Sequence, residues 1–171
     1  MVAGILVKAA IFPVHIWLPA AYSYAPSAVS TLLASIATKA ALYVLARILF
    51  TVFHGMPDVV TIALPNVIVP LAVGGIFVGT IMAIYEADIK KLFAHSSVAQ
   101  IGYIALGLGI GTPASVSAAF IHIGNHALIK GGIFMAIGGF VAALGARASL
   151  DSLIGIGPVS YTHLRAHETD S

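Results

Sequence analysis

The sequence predicts an all-α, polytopic transmembrane helix bundle of about five spans, and three observations carry that reading. Of the 171 residues, 60% are apolar and only 8% are charged, where a soluble domain carries roughly a quarter charged residues. Mean hydropathy is +1.04, so too little charge is present to coat a water-facing surface of this size. The apolar residues also fall into stretches of spanning length, separated by short turns rich in proline, glycine or charge.

In chain order, the first span runs from Met1 to about Leu18 and reads as truncated at its start. Pro13 leaves a backbone carbonyl without its donor, which predicts an interruption of this helix. Pro19 and Pro26 bracket an Ala-Ala-Tyr-Ser-Tyr loop. The second span runs from about Ser27 to Phe53 and ends at a turn of Gly55, Met56, Pro57 and Asp58. The third runs from about Val59 to Tyr85, with Pro65 and Pro70 expected to kink it. Glu86, Asp88, Lys90 and Lys91 form a charged turn that cannot enter hydrocarbon. The fourth span runs from about Leu92 to Ile110, and the fifth, after Gly111, Thr112 and Pro113, from about Ala114 to Leu144. Lys90 and Lys91, together with Arg147, place their turns on the cytoplasmic side and the N-terminus outside.

Residues 158–171 switch abruptly to polar composition and read as a non-native tail, leaving 1–157 as a partial transmembrane domain. The net charge of +2 offers no basic face for nucleic acid, and zero cysteines exclude disulfides, zinc–thiolate sites and iron–sulfur ligation. No cofactor is expected. A Ser-His-Asp hydrolase has no support, since no nucleophile motif is present. His122 and His126 alone make a weak metal pair.

The informative residues are amines at bilayer depth. Lys39 lies twelve residues into the second span, about 18 Å from its start, where a lysine costs at least roughly 2.5–3.5 kcal/mol. Thr31, Ser35, Lys39, Tyr43 and Arg47 recur every fourth residue and form one slowly winding polar stripe. His122, His126 and Lys130 repeat the device on the fifth span, with Asn125 beside them. The first span contributes Lys8 and His15; the fourth contributes Ser96, Ser97, Gln100 and Tyr103. None of the three lysines has a carboxylate within its own span. An amine withdrawn from water without a counter-ion gains and loses its proton more readily, as a proton carrier requires. Bland roles stand beside these: Lys8 snorkelling outward, Lys130 bonding a carbonyl, Ser96 and Ser97 capping a helix. The glycines at 131, 132, 138, 139 and 145 read as close-approach points between helices.

From Lys8 to Arg47 the chain carries K…P-x-H-x-W-L-P…A-P, followed by a mid-helix lysine. The segments DIKKLFAHSSVAQIGYIALG (Asp88 to Gly107) and HIGNHALIKGGIFMAIG (His122 to Gly138) follow in order. This pattern resembles the antiporter-like membrane subunit family: proton-pumping subunits of complex I, D and A subunits of Mrp-type cation/proton antiporters, and related hydrogenase subunits. The resemblance implies a complete subunit of about fourteen helices, of which this chain is an interior piece. It puts Lys8 at the family's broken-helix lysine, Lys39 at the central relay lysine, and His126 with Lys130 at the exit-half position. The acidic partner would lie on an earlier helix and the terminal relay residue on a later one. His15, Ser35, Tyr43, Gln100, Tyr103 and His122 are expected as supporting polar groups.

Two departures stand out. Ala20 and Tyr22 replace the Asp and His that many members carry after the Leu-Pro pair, and Gln100 replaces a His. The GNHALIKGG run reads toward D-type antiporter subunits. The expectation is therefore a multi-pass subunit of the prokaryotic cytoplasmic membrane, working beside other membrane subunits. It would move protons and, as the resemblance allows, a monovalent cation such as sodium. A proton-pumping subunit of an NADH-quinone oxidoreductase or membrane-bound hydrogenase is the alternative, with redox centres on other chains and no catalytic site on this one.

Overall fold

A computed structural model describes residues 2–52 and 59–144, and every element in it is helical. These are α1 (Val2–Ala9), α2 (Trp17–Tyr24), α3 (Ser27–Leu32), a π-helical turn (Leu33–Ala37), α4 (Thr38–Arg47), a second π-helical segment (Ile48–Val52), α5 (Val59–Ile84), α6 (Ile89–Ile110) and α7 (Pro113–Leu144). Among the described residues four stretches are long and apolar enough to cross a membrane: Ser27–Val52, Pro65–Ile84, Ile89–Ile110 and Pro113–Ala142.

The fifth expected span, the first in the chain, is not one helix. α1 stops at Ala9, because Ala10 adopts a left-handed φ of 56°. An L-residue there costs about 1–2 kcal/mol. Pro13 then denies the next turn a donor, as the sequence predicted. The loose end of α1 is tied off locally. Ile11 N donates to Leu6 O at 3.1 Å, and the Trp17 indole donates to Val7 O at 2.9 Å.

The loop expected between Pro19 and Pro26 is instead helix α2. Pro19 occupies the first turn of α2, where no intrahelical donor is required, so it does not break the helix. The chain turns at Ala25, held extended (φ −71°, ψ 147°) by the proline that follows. Likewise α5 runs through Pro65 and Pro70 as a single helix. The turn expected at Gly55–Asp58, the end of the second span at Phe53, Arg147, Gly145 and the 158–171 tail lie outside the described residues.

The first and third turns meet at one end of the bundle, as the predicted up-and-down topology demands. The Ser23 hydroxyl donates to Asp88 Oδ2 at 3.5 Å, and Lys90 Nζ donates to Ala25 O at 3.3 Å. Asp88 also caps α6, accepting from Lys91 N at 3.1 Å. Asp88→Ala is expected to cost about 1 kcal/mol, readable as a lower thermal midpoint of the purified complex.

α6 is the hub, packing on α5, α7 and α2, while the α3–α4 rod packs on α7 and α1. Small residues set these distances. A Cβ at Gly79 would sit 2.7 Å from Ala99 N, and one at Gly102 would sit 2.7 Å from Ala72 O. Across the second interface, a Cβ at Gly131 would meet Ser35 Oγ at 2.7 Å and one at Gly138 would meet Ser27 Cβ at 2.8 Å. Gly131 and Gly138 are thus the close-approach points expected; Gly132 and Gly139 face open space. The buried core joins Leu18, Tyr22, Leu42, Ile101, Ile104 and Phe134. Ile16, Phe77, Ile84 and Leu128 point outward, as suits a hydrocarbon solvent.

Candidate functional site

The α3–α4 rod and α7 bring the predicted amines together. Lys39, His126 and Lys130 are all buried, at 5%, 3% and 3% exposure, and lie within coulombic reach of one another. Among the described residues no carboxylate pairs with either lysine.

Each amine is held by backbone rather than by an acid. The wide π-helical turn immediately before Lys39 lets its ammonium fold back and donate to Ala34 O, inside that turn. Lys130 Nζ donates to Phe93 O at 3.0 Å and to Ser96 Oγ at 3.1 Å, both on α6. It also lies 5.1 Å above the centroid of the Phe93 ring, a cation–π contact. Neutral acceptors of this kind hold an amine in place without fixing its charge, whereas a carboxylate would fix it.

His126 sits in the same cluster with neither ring nitrogen bonded. A fully orphaned buried imidazole is uncommon, and here both nitrogens remain available for proton exchange. One turn away His122 stacks on His126 at 6.1 Å and 4° between planes. Its Nε2 bonds Gln100 Oε1 at 2.8 Å. The chain Gln100–His122–His126 therefore continues the polar seam along α7. Ser35 flanks the seam at Gly131, its hydroxyl turned back to Thr31 O at 2.7 Å.

Other expected residues stand apart. Lys8 is exposed at the end of α1, next to the break, and does not join the cluster. Tyr43 and Tyr103 are exposed, Tyr43 lying edge-on to Phe120. The i, i+4 stripe from Thr31 to Arg47 does not stay on one face: Lys39 is buried while Tyr43 and Arg47 are exposed, and the π-helical turn before Lys39 breaks the regular α-helical register. His15 is buried between α1 and α2, far from α7's histidines in the chain, with Nδ1 unbonded. Tyr22, where the family pattern carries His, is a fully buried core residue set edge-on against Phe134. Burial holds its phenol above the ordinary range, so it stays neutral.

Ser96 does not cap a helix, as the sequence suggests it should; α6 starts about two turns earlier at Asp88, which frees Ser96 to bond Lys130. The acceptors at Ala34 and Phe93 are backbone groups that no side-chain pattern announces. Ser96→Ala is expected to leave transport within about fivefold of wild type, because Phe93 O still holds Lys130 and one hydrogen bond to a neutral hydroxyl contributes only about 1 kcal/mol.

A chain with buried, acid-free amines on neighbouring apolar helices is matched over residues 1–159 by the family described as NADH:quinone oxidoreductase/Mrp antiporter, TM. This chain belongs to that family. It is 42% identical over 151 residues to NADH-quinone oxidoreductase subunit N of Desulforudis audaxviator, covering 88% of this chain and 30% of that protein. A chain of the membrane-bound sulfane sulfur reductase, an archaeal respiratory membrane complex, superposes with a TM-score of 0.78 at 34% identity, covering 84% of this chain and 29% of that one. A chain of the Mrp complex from Dietzia sp. superposes with a TM-score of 0.73 at 32% identity, covering 80% of this chain and 24% of that one. The antiporter-family chain therefore spans under a third of the length of these relatives. Identity is higher toward subunit N than toward the Mrp chain.

Proposed function

We propose that this antiporter-family chain conducts protons across the membrane within a multisubunit complex, through Lys8, Lys39, His126 and Lys130. The observation that carries the reading is the Lys39–His126–Lys130 cluster, buried, mutually repelling and without an acid among the described residues. In this mechanism a neutral lysine accepts a proton from a water chain, and the approach of the next positive charge drives that proton onward. His126, with both nitrogens unbonded, exchanges protons between Lys39 on one side and Lys130 on the other. His122 and Gln100 extend the path along α7. Lys8, exposed at the end of α1 and apart from that cluster, is the fourth station of the proposed path.

The complex is a cation/proton antiporter in this reading, with sodium as the exchanged cation. The higher identity to subunit N favours a second reading, in which the same helices pump protons for a quinone-reducing complex. Proteoliposomes containing the assembled complex and an entrapped pH-sensitive dye separate these. Acid movement driven by an imposed sodium gradient supports antiport, and acid movement driven only by quinone reduction supports the second reading. No acid movement under either drive contradicts proton conduction.

A further inference from the structure

A second titratable cluster lies outside the Lys39–His126–Lys130 seam. Glu86 at the end of α5 approaches His95 of α6, Oε2 to Nε2, at 4.0 Å. His95 is mostly buried, with 12% of its side chain exposed, and its Nδ1 is unbonded. It sits six residues into α6, about 9 Å below the charged turn. His15, in the break between α1 and α2, lies close enough to His95 for the two imidazole charges to interact. His15 Nδ1 is likewise buried without a partner. The pieces are held in place: α2 packs on α6, and the backbone of His95 lies against Gly79 of α5 with no room for a Cβ there.

The charged groups around this cluster are accounted for. Lys91, one turn before His95 on α6, contributes a positive charge. Asp88 is engaged as the α6 cap and by Ser23, and Lys90 by Ala25 O. Glu86 is thus the acid that faces His95, and it is partly exposed at 24%.

We propose that Glu86, His95 and His15 form a proton-loading site at the charged-turn end of the bundle, feeding the broken helix beside Lys8. Glu86 takes a proton from bulk water and passes it to His95 Nε2. The imidazolium so formed releases its Nδ1 proton toward His15, directly or through one water. It is left neutral with the proton on Nε2, and transfer of that proton from Nε2 to Nδ1 through water restores the starting tautomer. One proton enters and one leaves, with no other reactant.

The proposal rests on proton conduction by this chain and is tested apart from it in the assembled, reconstituted complex. His95→Gln and Glu86→Gln are compared with Lys39→Ala over a range of external pH, each at matched assembly. His95→Gln is expected to slow acid uptake by roughly a hundredfold at alkaline pH, the lower end of what a positioned proton-transfer group supplies. The deficit should shrink as external protons become abundant, with Glu86→Gln showing a smaller loss of the same pH form. A second readout needs no transport: diethyl pyrocarbonate applied from the charged-turn side should modify His95, detected by mass spectrometry, with a pH profile altered in Glu86→Gln. If Lys39→Ala blocks acid movement while His95→Gln stays within about twofold of wild type at every pH, the loading site is wrong and conduction stands. If His95 is unmodified from that side, or its profile ignores Glu86→Gln, the loading site is also wrong. Lys39→Ala with normal transport overturns the conduction reading itself.

Discussion

Lys39→Ala is expected to abolish proton movement through the assembled complex and to leave the amount of complex nearly unchanged. The amine is buried at mid-span and faces Lys130, with His126 in the same cluster. Under the proposed relay, its removal deletes one protonatable station, and no acid among the described residues pairs with either lysine to take its place. The structural cost is small by comparison. One hydrogen bond to Ala34 O is lost, worth about 1 kcal/mol and at most about 3 if that carbonyl stays unsatisfied. Against this, a buried amine that cost several kcal/mol to place in the membrane is gone. Acid movement measured by dye quenching, normalised to complex content, should fall to the leak of empty vesicles. Wild-type transport at wild-type assembly refutes the relay.

Gly102→Val is expected to have the opposite signature, losing assembly before transport can be assayed. The new side chain would place its Cβ 2.7 Å from Ala72 O and 2.8 Å from Ile76 Cγ1. The first of these is backbone within a continuous helix and cannot rotate away. Overpacking of this kind costs about 1–3 kcal/mol even where neighbours can yield, and α5 and α6 share the largest helix interface among the described residues. Gly102→Ala should show a graded version of the same loss, read as a lower thermal midpoint in detergent. Gly132→Ala, which faces open space, should change nothing. A Gly102→Val complex with normal yield and midpoint would contradict the packing described.

Much of this was legible in the sequence because membrane helices obey few rules, all written in composition. The boundaries of α6 and α7 follow from charge and proline at their ends, and both were read to within about three residues. The His122–His126–Lys130 face survives folding because α7 is a regular helix, so i, i+4 spacing maps onto one side. The stripe along the α3–α4 rod does not survive, since a π-helical turn carries no sequence mark and shifts every residue after it. The break near Pro13 was legible in the proline; the helix at Ala20–Tyr24 was not, because Pro19 reads as a breaker unless its place in the first turn is known. Backbone acceptors such as Ala34 O and Phe93 O, and the meeting of His95 with Glu86 and His15, depend on how helices are arranged in space. No local pattern encodes that arrangement.

Proton conduction through the Lys39–His126–Lys130 seam requires water inside an otherwise apolar bundle. This chain has no native cysteine, so single thiols report directly on water access. Ser35→Cys and Ser96→Cys line the seam, Leu128→Cys faces outward, and Thr112→Cys marks an exposed turn. Under a membrane-impermeant thiosulfonate, the two seam thiols and the turn thiol should react while Leu128→Cys does not. Seam thiols that stay unmodified beside a reactive Thr112→Cys would show a dry interior and contradict the account.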